Sequence, residues 1–385
     1  MFELGRRLRA EGGGPVYDLS LGNPSLEPPP AFFRALRALV EDDTPGTHRY
    51  MTNAGFLQVR RFVAEREGRR FGLELDEECV VLTVGAAGAL AVTLRALADE
   101  GDEIVVPAPY FSEYAHYARH AGLKLVPVRT TADFDLAPEA VAEALGDHTR
   151  IVLLNSPNNP TGAIYGAGRL NELAAVLRRH VTRTGRPVVV VEDAPYRDLV
   201  YDGQTPASMM SRYPHTVHVT SHSKDLGLAG ERIGYAVLSS ELAGRRRVFA
   251  GLSYCNRTLG FVNAPALMQR MLPEVLGAPD GRVDVAVYAR RARTLHAGLA
   301  RLGFSAAPPR AGFFLFPRLP DDLVARAPAG VPADVWFAER LVARRCIVVP
   351  GTAFGVADHL RLSVATDDDA VAGALDAIAA ELDAG

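Results

Sequence analysis

The stretch Thr149–Gly162, TRIVLLNSPNNPTG, decides the fold. Its first half is a short run of Ile, Val and Leu with no polar break. A strand that is apolar on both sides belongs in a sheet covered by helices on both faces, which is how parallel sheets are built. Its second half is rigid and polar. Two prolines flank two asparagines, and X-Pro bonds can take the cis form there. Ligands of parallel α/β sheets bind beyond the C-terminal ends of the strands. Asn159 therefore stands where a firmly held hydrogen-bonding side chain would meet a ligand.

The same reading extends to both sides. Strands are expected at 79–84 (CVVLTV), 102–108, 124–129, 149–157, 187–194, 216–221 and 232–238, with helices at 88–98, 110–122 and 168–181 between them. This alternation predicts an α/β protein whose large domain holds a mostly parallel seven-stranded sheet sandwiched by helices. The C-terminal third changes character. A long arginine-rich helix begins near Val283, and short strands follow at 313–317, 346–350 and 359–365, which predicts a smaller α+β domain. A chain of 385 residues exceeds what one core usually holds. The expected division is an N-terminal arm with part of the small domain over 1–45, a large domain over 46–280 and a C-terminal small domain over 281–385. The arm is expected to be extended up to EPPP at 27–30, with a helix starting at Ala31.

Composition narrows the function. Forty-two basic and 45 acidic residues give a net charge of −3, without the clustered basic face that nucleic-acid binding requires. No apolar run is long enough to span a bilayer. The start, MFELGRRLRAEGGG, lacks the apolar core of a signal peptide. Cys79, Cys255 and Cys346 fit neither a disulfide framework nor a zinc site. They read as small buried hydrophobes in a reducing compartment. The expectation is a cytoplasmic protein with no nucleic-acid or membrane partner and no metal.

The other strand ends carry chemistry. After VVLTV, Gly85, Ala86, Ala87 and Gly88 open a helix; small residues there let backbone N–H groups approach an anion, or simply make a tight turn. The run is neither GxGxxG nor a Walker loop. After VVVVE comes Asp193, followed by Tyr196. An aspartate ending an apolar strand is costly unless it caps a helix or meets a cation. After TVHVT come Ser221, Ser223 and Lys224, with Arg232 eight residues on. A desolvated lysine near other cations has a lowered pKa and attacks carbonyls; serines and an arginine are natural phosphate partners. One ligand accounts for all four strand ends: a phosphorylated aldehyde with a ring nitrogen, pyridoxal 5'-phosphate (PLP). His222, between the serines, reads as packing, and Trp336 as helix core. Tyr114 reads equally well as helix core or as a site residue.

These motifs occur in the order SLGNPS (20–25), HRYMTNAG (48–55), TVGAAGAL (83–90), VPAPYFSEY (106–114), NSPNNPTG (155–162), EDAPYRDLVY (192–201), SKDLGLAGERIGY (223–235), AGFFLFP (311–317), VPGTAFG (349–355) and LRLSVA (360–365). In that order the chain resembles the fold-type I, class I/II PLP-dependent aminotransferases, aspartate aminotransferase-like, over nearly its whole length. The resemblance implies that Lys224 forms the Schiff base and moves the substrate α-proton. It implies that Asp193 pairs with the pyridinium nitrogen and that Asn159 and Tyr196 bond the 3-hydroxyl oxygen. Gly85, Ala86, Ala87, Ser221, Ser223 and Arg232 would hold the phosphate, and Phe111, rather than Tyr110, would stack on the ring. Tyr50 would reach the phosphate of a neighbouring subunit, so a homodimer with composite sites is implied. Arg361 would bind the substrate α-carboxylate, with Gly22 and Asn23 beside it.

Three departures stand out. The nest has Ala86 and Ala87 where many relatives carry a hydroxyl. Pro195 stands where other residues are common. Arg257, in SYCNRTLGFVNAP (253–265), is one residue off the family's spacing to Asn263; it is a candidate for reading an acidic side chain, or for an ion pair at a dimer interface. The implied activity is ping-pong transfer of an amino group from an L-amino acid to a 2-oxo acid. Racemisation or β-elimination on the same fold is the alternative outcome. A PLP-binding regulator without turnover is a further rival, opposed by the presence of the lysine, the aspartate and the carboxylate-binding arginine together.

Overall fold

The computed structural model describes residues 2–384 apart from Asp43 and Gln204. Seven strands form the main sheet: β1 (Val80–Val84), β2 (Glu103–Ala108), β3 (Lys124–Arg129), β4 (Thr149–Asn155), β5 (Val189–Asp193), β6 (Thr216–Ser221) and β7 (Ile233–Leu238). Their spatial order is β1-β7-β6-β5-β4-β2-β3. Only β7 runs against the others. The central strands are buried along most of their length, with Val, Ile and Leu prominent in β4 and Val in β5. Helices such as Gly85–Leu97 and Ala167–Thr184 cover the two faces.

Register brings the strand ends to one edge. Asn155 stands beside Asp193, and Ser221 beside Gly234. Because β7 is reversed, its N-terminal end lies at that same edge and delivers Arg232 there. Two boundaries differ from the sequence expectation for tertiary reasons. β4 stops at Asn155, not at 157, because the Asn155 side chain takes over the bonding: its amide donates to the Asp193 carbonyl (2.8 Å) and its Oδ1 accepts from the Asn159 N–H (2.7 Å). The helix expected over 110–122 is Glu113–His120, since the Tyr110 N–H is drawn to the Phe354 carbonyl (3.1 Å).

The C-terminal part builds a second, antiparallel sheet from β8 (Phe314–Leu315), β9 (Val349–Pro350) and β10 (Leu360–Ser363), in the order β9-β10-β8. Helices Val285–Arg301, Ala333–Ala343 and Asp368–Asp383 pack on a core that also contains Leu19. The strand expected over 346–350 is two pieces. Val349–Pro350 belongs to this sheet, whereas Cys346–Ile347 pairs in parallel with Tyr17–Asp18. The first residues are not extended as expected: Phe2–Ala10 is a helix. Arg345 fixes that segment by donating to the carbonyls of Leu8, Gly14 and Pro15.

Under the sheet edge lies a buried ion cluster. Arg197 donates to both oxygens of Glu67 (2.6 and 2.9 Å), and Tyr235 donates to the same carboxylate (2.8 Å). Buried charges persist only when paired in this way, and the cluster ties helix Leu57–Phe71 to the segment after β5. No described helix is long and apolar enough to cross a membrane.

Candidate active site

A cavity of about 510 Å³ opens at the C-terminal edge of the main sheet, between it and the β9-β10-β8 sheet. Of the residues expected at a site, Gly22, Asn23, Ala86, Ala87, Phe111, Asn159, Asp193, Tyr196, Ser221, Ser223, Lys224, Arg232 and Arg361 all line it. Gly85 stands directly behind. Tyr50, 89% exposed, and Arg257, on the exposed face of helix Arg245–Thr258, lie outside the cavity.

Asp193 is fully enclosed. One oxygen, Oδ2, accepts from the Tyr114 hydroxyl at 2.6 Å, and the other, Oδ1, is buried without a partner. Burial raises its pKa to about 6 in spite of the Tyr114 hydrogen bond. A half-satisfied buried carboxyl is costly unless a ligand donates to it. A protonated ring nitrogen has the charge and the single donor to do so.

The Lys224 amine donates to the Gly22 carbonyl at 2.6 Å and lies 5.6 Å from the centre of the Phe313 ring. Burial, with Arg232 and Arg361 nearby, lowers its pKa to about 8. About a tenth of the amine is thus neutral at pH 7, far more than for an ordinary lysine, and that fraction is nucleophilic. The sequence contains two lysines, Lys124 and Lys224, so any lysine-linked cofactor has two possible attachment points. Lys124 is 71% exposed on β3, paired with Glu103. In the ligand-free protein, acetylation of Lys224 by trace acetic anhydride should rise about tenfold per pH unit up to about pH 8 and then level off, with Lys124 as internal reference. A Lys224 rate still climbing at about pH 10 would contradict the lowered pKa.

An anion cradle forms where β1 meets its helix. Gly85 has φ +67°, and a Cβ placed on it would stand 2.8 Å from the Arg232 guanidinium. Glycine alone satisfies both demands. It lets Arg232 lie against the helix N-terminus, whose free N–H groups and dipole favour negative charge. Gly234 has the complementary role, since its Cβ would meet Gly85 at 2.7 Å. Ser221 and Ser223, whose hydroxyls are 3.2 Å apart, complete the cradle. With alanines at 86 and 87, the side-chain donors at this corner are Ser221, Ser223 and Arg232.

Arg361, buried on β10, has its guanidinium over the rings of Phe314 (4.6 Å) and Phe354 (4.8 Å). It donates to Asn159 Oδ1 (3.1 Å) and to the Ser20 carbonyl (2.6 Å), while its Nε is buried without a partner. Burial lowers its pKa to about 10, leaving it charged at neutral pH. A planar guanidinium with an unmet donor is suited to a carboxylate. Phe111 lines the cavity edge-on to Tyr114 (5.5 Å), whereas Tyr110 lies outside it against Gly355.

The sequence left Tyr114 open between core and site, and other site residues escape it altogether. Tyr114 is a partner of Asp193 as well as a core residue. Asn155 links Asn159 to Asp193, and Phe314 and Phe354 lie against Arg361. The signal for Asn155 was present, as an asparagine ending an apolar strand. His222 packs beneath the cavity with Nδ1 2.9 Å from Asp225, and Trp336 lies half-buried on the C-terminal core.

The fold and this cavity define an enzyme acting at the carboxyl edge of an α/β sheet. A model of the family "Aminotransferase class I and II" matches residues 15–378, and the chain belongs to that family. It is 31% identical to the aspartate/prephenate aminotransferase of Thermus thermophilus over 94% of this chain and 89% of that one. It is 30% identical to the aspartate aminotransferase of Geobacillus stearothermophilus over 98% and 93%. An amino transferase structure from Eubacterium rectale superposes with a TM-score of 0.92 at 31% identity, covering 100% of this chain and 94% of that one.

Proposed function

We propose that the protein is a PLP-dependent aminotransferase that moves an amino group from an L-amino acid to a 2-oxo acid in two half-reactions. The observation that carries this reading is the unpartnered Asp193 Oδ1, enclosed in the same cavity as Lys224 and Arg361. When bound, PLP supplies the carbonyl that takes up the amino group and the conjugated ring that accepts electrons from the broken Cα–H bond. Lys224 would hold the cofactor at rest, and its Nζ would take the donor's α-proton and deliver it to the former carbonyl carbon rather than back to Cα. Asp193 keeps the ring nitrogen protonated, with Tyr114 fixing its orientation. Asn159 and Tyr196 would hydrogen-bond the 3-hydroxyl oxygen, and Phe111 would pack on the ring. The Gly85–Ala87 helix start, Ser221, Ser223 and Arg232 hold the phosphate. Arg361 binds the α-carboxylate beside Gly22 and Asn23.

In the same reading the enzyme is a cytoplasmic homodimer, with residues 46–280 as the cofactor-holding domain and 1–45 plus 281–385 as the smaller one. Tyr50, Tyr254 and Leu259 are apolar and exposed (89%, 67% and 45%), which supports a second copy covering this side. Arg257 shares the helix of Tyr254 and would sit at that interface.

The test is a visible absorption spectrum recorded while PLP and then single amino acids are added. The expected result is a PLP band that one donor bleaches, with stoichiometric release of its 2-oxo acid. A band that persists while the donor racemises or loses its side group would exclude transamination. No band would exclude the cofactor.

A further inference from the structure

Five charged side chains line the cavity: Lys224, Arg232, Arg361, Asp193 and Glu113. Aminotransferase chemistry employs the first four and leaves Glu113 without a task. Glu113 opens helix Glu113–His120, where the helix dipole favours negative charge. It is partly buried, and its carboxylate accepts from the Ser112 hydroxyl at 2.8 Å. Among the described residues no lysine, arginine or histidine forms an ion pair with it. It is near enough to Arg361 and to Tyr117 to act electrostatically on both.

The cavity therefore has an asymmetric charge plan. Glu113 and Arg361 line the same cavity, so a small ligand with its carboxylate on Arg361 shares the cleft with Glu113. Among the described residues that line the cavity, the cations are Lys224, Arg232 and Arg361, each with a role in the proposed chemistry, so this lining offers no further cation to a second carboxylate. A carboxylate in a cleft wall attracts an ammonium or guanidinium through charge-assisted hydrogen bonds and repels a like charge. We propose that Glu113, in a role that rests on the aminotransferase function, determines specificity. It selects amino donors with a distal cationic group, an amine or a guanidinium, over dicarboxylic donors.

The test uses the PLP-loaded enzyme and two unreactive probes of similar length, 4-guanidinobutanoate and glutarate, with dissociation constants measured by calorimetry. Wild type should bind 4-guanidinobutanoate about 10- to 100-fold more tightly than glutarate, the effect of one charge-assisted hydrogen-bonded contact. Glu113→Gln should reduce that ratio to about one, and Glu113→Asp should keep part of it. Ratios within one variant cancel any general loss of binding. A wild-type ratio of one or less, or a ratio unchanged in Glu113→Gln, overturns the proposal. Either result leaves the PLP band intact, whereas failure of the underlying aminotransferase reading shows as a missing band or as bleaching by no donor.

Discussion

Replacing Lys224 by alanine should lower kcat by about 10⁴-fold or more, with every amino donor alike. A positioned general acid-base group contributes up to about 10⁴, and this lysine is also the proposed covalent attachment point. No neighbour can substitute, because the only other lysine is Lys124, exposed on β3. The fold should tolerate the change. Lys224 gives up one hydrogen bond, to the Gly22 carbonyl, and its amine bears a desolvation cost in the folded state. Small amines supplied in solution should restore part of the rate if proton transfer is the lost function. The measurements are single-turnover rates and the mass of the borohydride-reduced protein, which should carry PLP in wild type and not in the variant. A variant retaining more than about a hundredth of wild-type turnover would remove Lys224 from the mechanism.

Arg361→Ala should reduce kcat/KM for amino acids by about 10²- to 10³-fold. Loss of one partner of a buried, hydrogen-bonded charge pair costs about 2 to 5 kcal/mol, and each 1.36 kcal/mol is tenfold in rate. Arg361→Lys should recover only a fraction, since an ammonium cannot reproduce the planar fork that lies over Phe314 and Phe354. An amine without a carboxylate has nothing to lose at this position, so its slow reaction should be unaffected. PLP binding should also survive, because Arg361 lies on β10 and the phosphate cradle on the main sheet. Equal losses for amino acids and for simple amines would mean that Arg361 is structural.

Much of this was open to reading in one dimension. Strands β3 and β6 fall at the bounds read from the sequence, 124–129 and 216–221, although β6 is buried throughout and β3 is a partly exposed edge strand. The chemistry-bearing residues follow strand ends, because backbone that leaves a parallel sheet there faces the cleft. The local signals failed where bonding is non-local. The Phe2–Ala10 helix is tied at its end to Arg345, far away in the chain. Residues 346–350 divide between two partners that no local pattern distinguishes.

The sequence by itself determined the α/β class, the family, and which strand ends carry the lysine, aspartate, asparagine and arginine, since periodicity and side-chain chemistry are properties of short segments. The tertiary structure alone decided how those groups act on one another. Tyr114 meets Asp193 across 79 residues, and Arg361 meets the Ser20 carbonyl across 341. The reversed β7 turns Arg232 toward Gly85. The strand order and the burial it creates lower the Lys224 pKa, leave Asp193 Oδ1 without a partner, and place Glu113 on the cavity wall. Desolvation and pairing depend on which surfaces face each other, and that is settled only when the chain is packed.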